Sequence, residues 1–130
     1  MNSTITVEIA PGELIDKITI LEIKLARIKD AAKLGNVRAE LETLVRARDA
    51  AIAPTPEIAA DTAALKRANE TLWEVEDHIR DCERAKDFGP RFVELARSVY
   101  RTNDERARIK RRINERLGSR LVEEKSYASY

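Results

Sequence analysis

Polar and apolar positions follow two different periods along this chain. From Thr4 to Ile9 they alternate (Thr4, Ile5, Thr6, Val7, Glu8, Ile9) and the apolar members are β-branched, which predicts one short strand over 4–9. Pro11-Gly12 ends it, and from there the period is that of a helix. Leu14, Ile18, Leu21, Leu25 and Ile28 predict a helix over 13–29. Ile15, Ile20 and Ile23 widen its apolar surface past half the circumference, as expected of a helix at the centre of a packed group. Gly35-Asn36 reads as a turn. Val37, Leu41, Leu44, Val45 and Ile52 then predict a second helix over 36–52, stopped by Pro54. Thr55-Pro56-Glu57 is a helix start: the Thr55 hydroxyl can accept from a free backbone N–H, and proline at the first helical position gives up no needed donor. The third helix covers 56–86, with Ile58, Leu65, Leu72 and Ile79 inward, until Asp87-Phe88-Gly89-Pro90 breaks it. The fourth covers 91–117, with Phe92, Leu95, Val99, Ile113 and Leu117 inward and Gly118 as its cap. In the tail, 119–127, Leu121-Val122 suits a second short strand.

The expected fold class is all-α, an antiparallel four-helix bundle forming a single helical domain over 1–130, because short connections place consecutive helices side by side. The end of helix four then lies near the start of helix one. Residues 4–9 and 119–124 can pair there as a two-stranded ribbon, which needs the bundle for support. Composition agrees with this class: 36% of residues are charged and only four are Gly and four Pro, which favours long helices over strands and turns.

Charge narrows the partners. A formal net charge of +1 argues against a chain that coats nucleic acid or an anionic membrane as a whole. The distribution is uneven, with six basic and nine acidic residues over 61–96 and nine basic and three acidic over 97–120. Only one aromatic, Tyr100, falls within that basic stretch, so a stacking surface for RNA is not expected. No apolar run approaches the roughly 20 residues that cross a bilayer, and the N-terminus has no basic segment followed by an apolar one. Cys82 is alone, which excludes an intrachain disulfide and suits a reducing compartment. A soluble cytoplasmic protein is expected.

The informative residues are polar ones at apolar positions. With residues placed at steps of about 100°, Asn103, Arg106, Lys110 and Asn114 fall inside the arc of Phe92, Val99, Ile113 and Leu117, whereas Arg97, Arg101, Arg108 and Arg112 lie on the outer face. Glu22 lies between Ile15 and Ile18 on helix one. Asn69, Glu76 and Glu83 share the stripe of Leu65, Leu72 and Ile79, and Arg48 sits mid-stripe on helix two. Antiparallel neighbours bring both Asn69 and Glu22 level with Arg106. The expectation is a polar layer inside the bundle: Glu22, Asn69, Asn103, Arg106 and Lys110, with Glu76 and Asn114 at its margins. Buried ions must be paired. Either Glu22–Arg106 and Glu76–Lys110 satisfy each other, or the Arg, Lys and Asn donors hold an anionic ligand between the helices.

Other chemistry is thin. Glu13-x-x-Asp16 and Glu74-x-x-Asp77 each put two carboxylates on one helical face, resembling the Mg²⁺-binding helices of the all-α nucleotide pyrophosphohydrolases, but the dense second acidic cluster is missing and Glu74 and Asp77 point outward. One His and one Cys give zinc no ligand set, nothing fixes a partner for His78 as a catalytic base, and there is no Gly-rich phosphate loop. Trp73 and Tyr100 read as aromatics at the core's edge. No catalytic residue, metal or cofactor is expected.

Three stretches carry a resemblance: GELIDKITILEIK at 12–24, LWEVEDHIRDCE at 72–83, and FGPRFVELARSVYRTNDERARIKRRINERLGSRLVEEKSY at 88–127. Together they resemble a bacterial family of short proteins defined as a domain of unknown function, DUF6165. They cover about half of the chain and leave out helix two and the Pro54 turn. The family has no established activity, so the resemblance implies no catalytic residues. The association of its members with genes for glycosyltransferases and surface polysaccharides implies a nucleotide-sugar or phosphosugar ligand. Glu22, Glu76, Asn103, Arg106, Lys110 and Asn114 all lie in the three stretches.

The leading expectation is therefore a non-catalytic binding or accessory protein for a small anionic ligand, a sugar phosphate or nucleotide. In it Arg106 and Lys110 neutralise the anion, Asn103 and Asn114 orient it, and Glu22 holds Arg106. The alternatives are a dimerising or partner-docking module with a purely structural polar layer, and a small metal-dependent hydrolase or isomerase using Glu74 or Glu76.

Overall fold

The computed structural model describes residues 3–130. Its regular structure is four helices: α1 (Pro11–Arg27), α2 (Ala31–Ala51), α3 (Pro56–Ala85) and α4 (Pro90–Arg116). α3 and α4 pack along each other, and α1 packs against each of the other three. That central place is what its wide apolar surface requires: Gly12, Leu14, Ile15, Asp16, Ile18, Thr19, Leu21 and Ile23 are all buried. α2 lies on α1 and buries only Val37 along its own length.

The core is gathered where α1, the start of α3 and the end of α4 meet. Ile15, Ile58, Leu65, Ile109 and Ile113 form one buried cluster, with Ile52 and Ala64 packed against it. Burying side chains of this size stabilises by about 1.5–3 kcal/mol each.

The helix ends follow from local chemistry. Thr55 Oγ1 accepts from Ile58 N at 3.1 Å ahead of Pro56. α3 stops at Lys86 in the left-handed conformation. Beyond α4, Gly118 takes up a positive φ and Ser119 N returns to Asn114 O, a closure that glycine makes cheap. α2 begins at Ala31, five residues ahead of the expected start, and runs through Gly35-Asn36 without a turn. Asp30 caps it by accepting from Ala32 N at 2.9 Å and Lys33 N at 3.4 Å, and an exposed helix tolerates one glycine at a cost of about 1 kcal/mol.

The expected strands do not form. Among the described residues there is no strand: the segment before α1 and the tail after α4 are both irregular. Ile5 is 87% exposed and Val7 67%, so the alternating side chains have no apolar layer to lie on, and a two-stranded ribbon without one is marginal. The two ends do touch, through an ion pair of Glu8 with Arg120 at 2.5 Å. The tail runs back along α4, pairing Glu123 with Lys110 and Glu124 with Arg111, and setting Tyr130 against Tyr100 and Asp104.

Candidate functional site

Inside this frame a polar network crosses from α1 to α3 and α4. Asp16 is fully buried, and its two oxygens accept from Arg106 Nε at 2.9 Å and Nη2 at 2.5 Å, a bidentate pair that fixes the guanidinium plane. Asn69 Nδ2 donates to Asp16 Oδ1 and to Thr19 Oγ1, both at 2.9 Å, and Thr19 Oγ1 donates to the Asp16 carbonyl. Arg106 Nη1 reaches Asn103 Oδ1 at 3.4 Å. Burial works against the Asp16 carboxylate, yet the hydrogen bonds from Arg106 and Asn69 and the charges of Arg106 and Lys110 outweigh it and hold its pKa below the usual value.

One turn along, Lys110 Nζ sits between Glu13 and Glu123, 2.7 Å from each. Burial opposes its charge, but the bonds to Glu123 and Glu13 prevail and its pKa is raised; that of Glu123 is lowered by the same contact. Beyond it, the Asn114 side chain accepts from Gly12 N at 2.7 Å, filling one of the free donors at the start of α1. A third buried ion, Asp61, accepts from Arg112 at 2.8 Å and Arg116 at 2.7 Å. Arg112 is thus a partner of a buried carboxylate and not a purely solvated side chain. Among the described residues no buried side-chain nitrogen or oxygen lacks a hydrogen-bond partner.

The network surfaces in a cleft of about 450 Å³ between α1, α3 and α4. Asn69 and Arg106 belong to both network and cleft; Ile20, Ile23 and Leu72 supply an apolar wall, with Trp73, Glu76, Asp77 and Arg80 along α3. Arg80 is ion-paired to Glu76 on its own helix.

Several expected roles change. Glu22 does not meet Arg106. It lies at a separate hollow with Arg48, Asp49, Ile52 and Lys66, and Asp16, six positions earlier on α1, takes its place. Glu76 is exposed and pairs with Arg80, and Lys110 pairs with Glu13 and Glu123, so the expected Glu76–Lys110 pair is absent. Asn69 and Arg106 are brought together, through Asp16. Asn103 is half-buried beside Arg106, and Asn114 serves the α1–α4 contact. Asp77 is exposed, as expected, and stands at the rim of the cleft, whereas Glu74 pairs with Arg27. Asp16 enters the sequence reading only as half of the Glu13-x-x-Asp16 carboxylate pair, not as the partner of Arg106, and Thr19 does not enter it. Their signal was present all the same, since a helix apolar around most of its circumference has little outside on which to place a polar residue. No group of three or more His, Cys, Asp or Glu side chains converges among the described residues.

The chain belongs to DUF6165, a family of unknown function, whose model matches residues 5–130. That match takes in α2 and the Pro54 turn as well as the three resemblant stretches. No curated protein and no solved structure matches the chain. Among the described residues no helix is long and apolar enough to cross a membrane.

Proposed function

We propose that this DUF6165 chain is a non-catalytic cytoplasmic binding or accessory protein, an antiparallel four-helix bundle whose inter-helical cleft takes a small ring-bearing ligand in the class of sugar phosphates and nucleotides. One observation carries the reading: Asn69 and Arg106, both held by the buried Asp16, form the polar floor of the cleft that has Trp73 on its wall. A rigid polar floor opposite an aromatic and aliphatic wall is how small-ligand sites combine orientation with apolar contact. Asp16 occupies Nε and part of Nη2, which leaves the Nη1 edge of Arg106 for a ligand oxygen. In this reading Asn69, Arg106, Glu76 and Asp77 contact the ligand, Asn103 supports Arg106, and Lys110 and Asn114 hold α1 against α4. The family resemblance to proteins associated with glycosyltransferases and surface polysaccharides fits such a ligand.

Trp73 is the chain's one tryptophan, so its fluorescence reports on the cleft directly. Titration with sugars, phosphosugars, nucleotides and sugar nucleotides is expected to give a saturable change with at least one of them. The same ligand should raise the melting temperature, by about 2.7 kcal/mol of stabilisation at a hundred times its dissociation constant. Arg106→Lys, which keeps the charge but loses the bidentate geometry, is expected to weaken binding. A folded protein that shows neither response to any compound overturns the reading.

A second reading, a dimerising or partner-docking module, is favoured by α4 itself: from Pro90 to Arg108 none of its residues is buried, although Phe92, Val93, Leu95 and Val99 lie there. Sedimentation across a range of protein concentrations decides it.

A further inference from the structure

The charges around the cleft do not add up to an anion site. Arg106 is matched by Asp16 and Arg80 by Glu76. A phosphate arriving here would find only the Nη1 edge of Arg106, on a guanidinium whose charge the buried Asp16 already balances. What remains after the matched pairs is one carboxylate. Asp77 lines the cleft and has no hydrogen bond or ion pair to any described residue; the nearest cation along its own helix, Arg80, is engaged by Glu76.

Asp77 lies four residues after Trp73, which places the two one turn apart on the same side of α3, and both face the cleft. An indole beside a spare carboxylate is a site for an organic cation. The π-face attracts the positive charge, tryptophan more strongly than the other aromatics, and the carboxylate supplies the counter-charge and hydrogen-bond acceptors. Ile20, Ile23 and Leu72 add apolar surface beside the half-buried Trp73, while Asp77 stands exposed at the rim of the cleft.

We propose that the part of the ligand seated between Trp73 and Asp77 carries a protonated amine, so that the cleft selects an amino-bearing ring over its hydroxyl, N-acetylated or purely anionic counterpart. This rests on the cleft being a ligand site and narrows what it takes. Asn69, one turn before Trp73 on the same side of α3, and Arg106 from α4 then face the ring's uncharged oxygens.

The test compares glucosamine, glucose, N-acetylglucosamine, glucosamine 6-phosphate and glucose 6-phosphate by Trp73 fluorescence, in the wild type and in Asp77→Asn. Each amine-bearing sugar is expected to bind roughly three- to thirty-fold more tightly than its partner without the charge, the range of a cation–π contact in a partly desolvated site. That preference should shrink as salt is raised. It should disappear in Asp77→Asn, whose melting temperature is unchanged because Asp77 holds nothing in the fold. Equal affinity for amine and hydroxyl sugars overturns the inference while leaving the cleft a ligand site. So does a preference that survives Asp77→Asn. Silence from every sugar, and from the wider panel of nucleotides, removes the ligand site and the inference together.

Discussion

The two halves of α4 carry the same apolar arc and end in different surroundings. Ile109, Lys110, Ile113 and Asn114 are buried at its C-terminal end. Phe92, Leu95, Val99 and Asn103 continue that arc towards the N-terminus and are only half-buried. The difference lies in what stands opposite. The C-terminal half faces α1, whose Gly12, Glu13 and Asp16 reach Asn114, Lys110 and Arg106 in turn. The N-terminal half has α3 beside it and, on its flank, the tail's Tyr130 against Tyr100. A helical stripe states which face can be buried; the neighbour decides whether it is. The polar residues follow the same rule, since Arg106 and Lys110 are fixed because α1 brings carboxylates to them.

The largest expected effect comes from removing the cation that α1 needs. Arg106→Ala leaves the Asp16 carboxylate buried with Asn69 as its remaining side-chain donor, and breaking a buried pair in this way costs about 3–5 kcal/mol. Urea unfolding measures it, and a loss below about 1 kcal/mol would place the pair among solvent-screened surface pairs. Acid unfolding sharpens the point. The folded pKa of Asp16 lies below the unfolded value of about 3.9, so its stabilisation is complete above that value and is lost as pH falls through the lower folded one. Asp16→Asn is expected to flatten this acid limb. Lys110, with its pKa raised, works in the opposite direction: its contribution is full below about 10.4 and is lost as pH rises through the folded value.

A smaller effect is expected where α1 and α4 come closest. A Cβ on Gly12 would sit 2.5 Å from the Lys110 carbonyl oxygen, a backbone atom that cannot swing aside. Gly12→Ala must therefore push α1 away from α4, at the cost of about 1–3 kcal/mol seen for overpacking. Gly35→Ala is the control. Nothing lies within 4 Å of its Cβ position, it is in the interior of exposed α2, and alanine there is expected to stabilise by about 0.5–1 kcal/mol. Thermal melts that moved the same way in both variants would show that close contact is not what holds this end together.

How legible these contacts were differs by level. The four helices follow from their Leu and Ile stripes, and the stops at Pro54 and at Asp87–Pro90 from backbone chemistry. The start of α2 was hidden because Gly35-Asn36 is turn-like in sequence, while the actual signal, Asp30 two residues before Ala32, is a cap. The expected strand does not form because alternation shows only that a segment suits a sheet, and the described residues offer none. Arg106, Asn69 and Lys110 stood out as polar residues in apolar arcs. Glu13 and Asp16 stood out only as two carboxylates on one face and not as the partners of these residues, because nothing in a single helix fixes how far it slides along its neighbour. The six positions separating Glu22 from Asp16 amount to about 9 Å along α1. Asp77 and Trp73 were passed over singly, and only the cavity joins them.

The N-terminal half of α4 should answer least to substitution. Val99 lies in the arc of Ile113 but is half-buried, so Val99→Ala removes methyl groups already partly in water and leaves no closed cavity. The expected loss is under about 1 kcal/mol, against about 2–5 kcal/mol for Ile113→Ala at a fully buried position. Arg97→Ala, which removes an exposed, solvent-screened pair with Glu94, is expected to leave the melting temperature unchanged. These small values have a second use. Measured at low and at high protein concentration, the cost of Val99→Ala stays constant for a lone chain. It rises with concentration if a second copy covers this half of α4, because the side chain is then buried only in the assembly. A cost near that of Ile113→Ala at every concentration would mean that the half is packed within the chain, and the contrast between the two ends of α4 would fall.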